Sequence, residues 1–196
     1  PIGTAIAYVS PLVRESGNLS SQIDNAVSAA VAYQLVQDGF DGTLLFATEE
    51  EIGRSWQHIA NYLQSQDTAS REIITLDTIP YDDARAISEG LIVFRNRDEN
   101  GEFNSDLVER LRGACDAQGV RYEMKDEVIE AQNAQLPEGA KPKKLGKTEL
   151  GRVIQYTDGI FNGATVQLPT TDYHTNHETT SELALNNYYE ALKRIL

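Results

Sequence analysis

Carboxylate and imidazole side chains follow three predicted strands of this sequence, close to the point where each strand ends. Residues 49–51 (EEE) follow TLLFA, Asp77 follows EIITL, and His174 comes shortly after ATVQLP. Because clustered carboxylates repel one another and raise each other's pKa values, several of them beside a histidine suggest a compensating cation. Mixed oxygen and imidazole ligands suit Zn²⁺, Co²⁺ or Mn²⁺. The pattern therefore predicts a divalent-metal site.

Each of these features also has a purely structural interpretation. An acidic run such as residues 49–51 is favoured at a helix start by the helix dipole, and Asp77 before Thr-Ile-Pro is equally a turn former. His58, on a predicted helix, is interpreted as a packed or surface residue. His174 and His177 lie in a polar segment between a strand and a helix, where such a density of potential ligands favours function.

Alternating strands and helices must position these residues. Apolar runs predict strands at 4–9, 43–47, 72–76, 91–94, 120–124 and 164–168. Helical spacing of apolar residues predicts helices at 21–36, 56–63, 105–118, 148–156 and 181–196. Cys115 follows the apolar rhythm of one helix and is interpreted as core packing, and the polar segment 127–147 predicts a long loop.

This alternation favours one domain over residues 1–196, with a three-layer α/β fold. The sheet is expected to be largely parallel and covered by helices on both faces. In such folds ligands bind outside the carboxyl ends of the strands, which is where the candidate residues lie.

Composition and charge disfavour several classes of function. The chain has 30 acidic and 17 basic residues, and its formal charge of -13 repels nucleic acid phosphates and anionic lipid headgroups. No apolar run reaches the length of about 18 residues that spans a bilayer, and residues 1–11 lack a secretory-signal pattern. We therefore expect a cytoplasmic protein. A nucleotide-binding domain is disfavoured because no glycine-rich phosphate loop follows a strand.

Five motifs follow one another along the chain: SSQIDNAVSAAVAYQLV, LLFATEEEIG, IITLDTIP, GKTELGR and VQLPTTDYHTNHETTS. In this order they resemble the di-metal aminopeptidases of the glutamyl, tetrahedral and endoglucanase-like type. The resemblance implies a zinc-exopeptidase-like fold and a metal-dependent hydrolase that cleaves N-terminal residues from peptides. It also implies two divalent cations, Zn²⁺ or Co²⁺, with Mn²⁺ as an alternative.

The resemblance assigns the water chemistry to the first two motifs. Asp24, in the segment IDN, matches the aspartate that bridges both metals. The family's Glu-Glu pair before a β-branched residue and glycine matches EEIG, so that Glu50 is the general base and Glu51 a metal ligand. In this mechanism a water activated by two cations gives its proton to Glu50 and attacks the peptide carbonyl.

The later motifs supply the remaining candidates by resemblance. Asp77 matches a terminal metal ligand, and His174, four positions before Glu178, matches the late histidine ligand. Where the family commonly has Gly-Thr-Asp before a helix beside the substrate pocket, this chain has GKTE. Thr148 and Glu149 are therefore the candidates for substrate contact.

One segment of the family pattern is missing from the sequence. The family's other terminal histidine comes from a His-x-Asp segment before the bridging aspartate, normally separated from it by an inserted oligomerisation domain, and this chain contains no such segment. The chain is the C-terminal part of a larger enzyme, pairs with another chain, or has lost or altered catalysis. We favour the first explanation, because Pro1 begins about where the inserted domain should end.

Two expectations follow from the missing segment. An incomplete sheet leaves an edge uncovered, so we expect a homo-oligomer or association with the missing N-terminal part. The alternative function is a non-catalytic binding or assembly module on the same fold.

Overall fold

The computed structural model describes residues 10–66 and 70–196. Within these residues the strands are β1 (Val13–Glu15), β2 (Asn18–Ser21), β3 (Glu72–Pro80), β4 (Ile92–Phe94), β5 (Arg97–Asp98), β6 (Gly101–Glu102), β7 (Tyr122–Met124), β8 (Asn162–Thr170) and β9 (Glu178–Ser181). The helices are α1 (Ala26–Gln37), α2 (Ser55–Ser65), α3 (Ala84–Ser88), α4 (Ser105–Gln118), α5 (Lys125–Ala134), α6 (Glu149–Tyr156) and α7 (Glu182–Ile195). Strands and helices are interspersed, which confirms the predicted α/β class.

A four-stranded sheet with the order β3-β8-β4-β7 forms the centre of the structure. β3 pairs with β8 in parallel, placing Asp77 opposite Gln167, and β4 pairs with β7 in parallel. The contact between β4 and β8 is antiparallel. Two of the three pairings are therefore parallel, in agreement with a largely parallel sheet.

The sheet is covered on both faces because successive side chains of a strand point to opposite sides. Ile92 and Phe94 of β4 join the main core, which also contains buried residues of α1, α4 and α7. Val93, between them, joins a second cluster with Ile79 and with Ala86 of α3. Burying an aliphatic or aromatic side chain contributes roughly 1.5–3 kcal/mol, so this layered core holds the sheet in place.

Local signals determine the boundaries of the helix that most closely follows the prediction. The Asn104 side chain accepts a hydrogen bond from the Leu107 N–H, and Gly119 ends α4 in the left-handed conformation with φ 65. Cys115 is fully buried in this helix, which confirms its interpretation as core packing.

Two short antiparallel sheets were not anticipated from the sequence. β2 lies between β1 and β9 in a three-stranded sheet, and β5 and β6 form a hairpin. These strands have two to four residues each, too few for an alternating pattern to be recognised. The β2–β9 pair nevertheless matters, because it joins the chain segments on either side of the candidate site.

Two sequence predictions are wrong. Residues 43–47 do not form a buried strand: no described strand pairs with them, and Leu45 and Phe46 are 41% and 67% exposed. A strand needs a partner for its backbone groups, and an apolar run alone does not supply one. The loop predicted at 127–147 begins as helix α5, which buries Ile129, and only 135–147 lacks helix and strand. The strand predicted at 4–9 lies outside the described residues.

Across the described ranges, no helix is both long and apolar enough to cross a membrane.

Candidate metal centre

Three side chains from distant parts of the chain meet at one point of the surface. Asp24, Glu51 and His174 each present a ligand atom, and these atoms lie within 4.8 Å of one another. His174 Nε2 is 3.4 Å from Asp24 Oδ2 and 3.5 Å from Glu51 Oε2. Two ligands at about 2.0–2.1 Å from a tetrahedral zinc ion are about 3.3–3.4 Å apart. The three side chains therefore fit one divalent cation.

Asp24 lies directly before α1, between this helix and strand β2. Its side chain is only 9% exposed, and the peptide bond to Asn25 is cis. The Asn25 side chain donates a hydrogen bond of 2.7 Å to the Leu76 carbonyl of β3. This contact holds the Asp24 segment beside the strand that carries Asp77.

Glu51 lies in a turn before α2. The Gly53 N–H donates to the Glu50 carbonyl at 2.7 Å, and Gly53 has φ 67, a conformation that glycine adopts without strain. The Gly53 carbonyl accepts hydrogen bonds from Trp56 Nε1 at 2.9 Å and Arg152 Nη1 at 2.8 Å. These bonds anchor the acidic turn to α2 and α6.

His174 lies in the segment between β8 and β9. Its backbone is in the left-handed region with φ 60, and its ring stacks on Tyr173 with 4.0 Å between ring centroids. The His174 N–H donates to Glu178 Oε1 at 2.7 Å. Stacking and this backbone contact orient the imidazole toward Asp24 and Glu51.

A cleft of about 520 Å³ extends from this group of three. Six candidate residues from the sequence line it: Glu50, Glu51, Asp77, Thr148, Glu149 and His174. Asp77 belongs to the same cleft but lies outside the group of three. Thr148 caps α6, its side chain accepting from the Gly151 N–H at 3.0 Å. The other histidines lie apart from the cleft lining, with His58 exposed beside Glu49 at 3.4 Å.

The carboxylates of the cleft are electrostatically strained. Burial raises the pKa of Asp77 to about 7; a hydrogen bond from the Thr78 N–H opposes this rise, and the charges of Asp24, Glu50 and Glu149 reinforce it. The pKa of Glu50 is raised by burial and then by neighbouring carboxylates. A divalent cation would relieve this repulsion.

Glu149 adds a further observation in favour of a cation. Its Oε1 is buried and has no hydrogen-bond partner among the described residues. Burial also raises the pKa of this carboxyl, while a hydrogen bond with the Ser55 side chain and the positive charge of Arg152 oppose the rise. A buried carboxylate oxygen without a donor is costly, so the donor set of the cleft fits bound cations.

A recess of about 550 Å³ adjoins the cleft and shares several of its residues. Its lining includes Trp56, Lys147, Arg152 and Tyr156, and no carboxylate side chain of the described part of the chain lines it. The rings of Trp56 and Tyr156 meet edge to face, with 5.3 Å between centroids. This recess was not anticipated from the sequence, although Lys147 and Arg152 flank Thr148 and Glu149 within the motif GKTELGR.

Comparisons with known proteins identify a fold. No family model matches the sequence, and no curated protein is significantly similar to it. An aminopeptidase from the archaeon Desulfurococcus kamchatkensis has a TM-score of 0.70 at 12% identity, covering 96% of this chain and 51% of that protein. A TET aminopeptidase from a marine sediment archaeon of the Thaumarchaeota has a TM-score of 0.70 at 15% identity, covering 95% and 51%.

A third similar structure is the TET1 peptidase of Pyrococcus horikoshii. Its TM-score is 0.67 at 14% identity, and the match covers 96% of this chain and 53% of that protein. The chain thus spans about half the length of the solved structures that it matches. The resemblance inferred from the motifs is confirmed at the level of the fold: this chain has the α/β fold of the TET-type aminopeptidases.

Proposed function

We propose that this chain carries the metal-binding and water-activating part of an aminopeptidase that removes N-terminal residues from peptides. The observation that supports the proposal most strongly is the meeting of Asp24, Glu51 and His174, whose ligand atoms lie within 4.8 Å of one another. The sequence motifs named the same three residues independently of their positions in space.

The donor set fits two divalent cations, Zn²⁺, Co²⁺ or Mn²⁺. Asp24, Glu51 and His174 would hold one of them, and Asp77 together with Asp24 would hold the other. When bound, the cations lower the pKa of a water molecule and polarise the peptide carbonyl.

Glu50 is the proton carrier of the proposed reaction. It accepts a proton from the attacking water while the water oxygen bonds to the peptide carbon. It then gives this proton to the nitrogen of the leaving amine as the C–N bond breaks. The raised pKa of Glu50 supports this role, because a general base works best with a pKa nearer to neutral than that of an exposed glutamate.

The adjoining recess receives the first side chain of the substrate. Lys147 is exposed there and has no hydrogen-bond or ion-pair partner within the described part of the chain, whereas Arg152 is engaged with the Gly53 carbonyl. An unpaired ammonium group beside two aromatic rings favours an acidic side chain. We therefore propose glutamyl or aspartyl peptides as preferred substrates.

Within the described residues, Asp24 and Asp77 are the only protein ligands that we propose for the second cation. We propose that a further donor comes from another segment or another chain, since the solved structures that this chain resembles are about twice as long. The Pyrococcus horikoshii TET1 peptidase assembles into a tetrahedron or a large octahedral shell. We propose that this chain also works in an assembly. The exposed apolar side chains of Leu45 and Phe46 support this proposal, because another chain would cover them.

A non-catalytic binding module is the second candidate function, because the His-x-Asp segment is absent from the sequence. Titration of the purified chain with Zn²⁺ and Co²⁺, combined with assays on aminoacyl anilides, separates the two. Asp24→Asn and His174→Ala should abolish the tightest cation site, while His58→Ala, an exposed histidine outside the cleft, should leave it intact. In the assembled protein, cation binding with peptide hydrolysis supports the aminopeptidase, and cation binding without hydrolysis favours the module. No cation binding by the purified chain contradicts the metal centre.

A further inference from the structure

Glu178 is a buried carboxylate whose hydrogen-bond partners among residues 10–66 and 70–196 are all backbone N–H groups. The residue is 1% exposed. Its Oε2 accepts from the Ile23 N–H at 2.7 Å and the Asp24 N–H at 2.8 Å, and its Oε1 accepts from the His174 N–H at 2.7 Å. One carboxylate therefore connects the two segments that carry Asp24 and His174.

We infer that Glu178 is a positioning residue that sets the separation between the Asp24 and His174 ligand atoms. The inference rests on the proposed function, in which both side chains hold the same cation. Glu178 is absent from the lining of the cleft, so it acts through the backbone of the two ligands. No other described side chain bonds to the N–H groups of both residues.

The strand pairing around Glu178 makes this connection rigid. Glu178 opens β9 and lies opposite Ser21, the last residue of β2. Strand β2 continues into the segment that carries Asp24, and the segment that carries His174 leads into β9. The carboxylate thus bridges the two segments at the edge of an ordered sheet, where its own backbone is held.

The backbone of His174 needs such a contact. Its φ of 60 is uncommon for a residue with a side chain, and such conformations persist only where the surroundings determine them. The bond from the His174 N–H to Glu178 supplies this constraint. Without it, the segment would relax toward ordinary φ values, and the imidazole would turn away from Asp24.

Glu178→Gln tests the inference with almost no change of volume. A glutamine has one acceptor oxygen and one NH₂ donor, so it can serve either the Ile23–Asp24 side or the His174 side, but not both. Asp126→Asn is the matched control. Asp126 is also buried and accepts from the N–H and side chain of Asn96, away from the cleft.

The first readout is Co²⁺ binding, followed by visible absorption. Replacing residues that orient metal ligands typically weakens binding by about 10–100-fold, so we expect a loss of this size and an altered absorption band in Glu178→Gln. Asp126→Asn should lose thermal stability but bind Co²⁺ with wild-type affinity and spectrum. A Glu178→Gln variant that is destabilised yet binds Co²⁺ like the wild type would overturn the inference.

The second readout needs no metal. In the metal-free wild type, amide exchange measured by NMR should be slow at Ile23, Asp24 and His174, because all three N–H groups are bound to one carboxylate. In Glu178→Gln we expect exchange to accelerate in at least one of the two segments. Rapid exchange at His174 in the wild type would refute the positioning role. If the wild type binds no Co²⁺ while the exchange pattern holds, the proposed function fails but the positioning role stands.

Discussion

His174 Nε2 lies 3.4 Å from Asp24 Oδ2, although helices α1 to α6 and strands β3 to β8 separate the two residues in the sequence. Both side chains project from segments that flank the β2–β9 pair, and Glu51 joins them from the turn before α2. The candidate centre therefore depends on the positions of three segments, which carry Asp24, Glu51 and His174.

Glu50→Gln should abolish most of the hydrolytic activity without removing the cations. Removal of a general base typically costs 10²–10⁴-fold in rate, and Glu50 is not a member of the three-residue group. The kcat for an aminoacyl anilide should fall by roughly this factor, whereas the number of bound Zn²⁺ ions should stay the same. Glu49→Gln is the control, since Glu49 lies in the same acidic run outside the cleft lining. Equal losses in both variants would refute the role of Glu50.

The stability of the metal-free protein should fall as the pH rises from about 4 to about 7. The pKa of Asp77 is raised from 3.8 to about 7 in the folded chain, so between these values the folded state binds a proton that the unfolded state has released. The linked loss is at most roughly 4–5 kcal/mol, since one pKa unit corresponds to about 1.4 kcal/mol. Urea unfolding at several pH values measures it.

Asp77→Asn provides the comparison for this pH dependence. The amide cannot ionise, so the variant should show a flatter pH profile and should be more stable than the wild type at pH 7 without metal. Saturating Zn²⁺ should reverse this order of stability. The Asp77 carboxylate of the wild type binds a cation more tightly than the amide of the variant does, and tighter binding stabilises the folded state more. A wild-type profile as flat as that of the variant would contradict the raised pKa.

Lys147→Ala should reduce the preference for acidic substrates. The ammonium group lines the recess, and a hydrogen bond to a charged group contributes about 1.5–3 kcal/mol. We expect kcat/KM for glutamyl anilide to fall roughly tenfold or more, and that for leucyl anilide to change little. Lys144→Ala, in the same segment but outside the recess, should affect neither substrate. A similar loss for both substrates would mean that Lys147 does not select the side chain.

Gly53→Ala should destabilise the turn that carries Glu51. Gly53 has φ +67, and an added Cβ would lie 2.5 Å from Arg152 Nη1, which must then shift. A cost of about 1–3 kcal/mol is expected from the strained backbone, together with weaker cation binding. Gly113→Ala in α4 is the opposite control, because nothing lies within 4 Å of its added Cβ. That substitution should stabilise the protein by about 0.5–1 kcal/mol in thermal or urea unfolding.

Helix α4 shows how far local sequence signals reach. Its boundaries follow from the apolar spacing, the Asn104 cap and Gly119, all of which act within a few residues. Local signals did not suffice at 43–47, because a strand depends on a partner elsewhere in the chain. They did not suffice at α5 either, because the helix has a largely polar sequence and buries only one face. The short strands β1, β2 and β9 have no local signal at all.

The sequence by itself supplied the candidates and the fold class. The motif order named Asp24, Glu50, Glu51, Asp77 and His174 as candidate site residues by resemblance, and the pattern of strands and helices predicted the α/β class. Only the tertiary structure decided which of these side chains meet, because distances between segments are determined by packing and strand pairing rather than by spacing along the chain. The recess that contains Lys147 and Arg152 and the role inferred for Glu178 also depend on the tertiary structure. The three N–H groups that Glu178 binds become neighbours only when β2 and β9 pair.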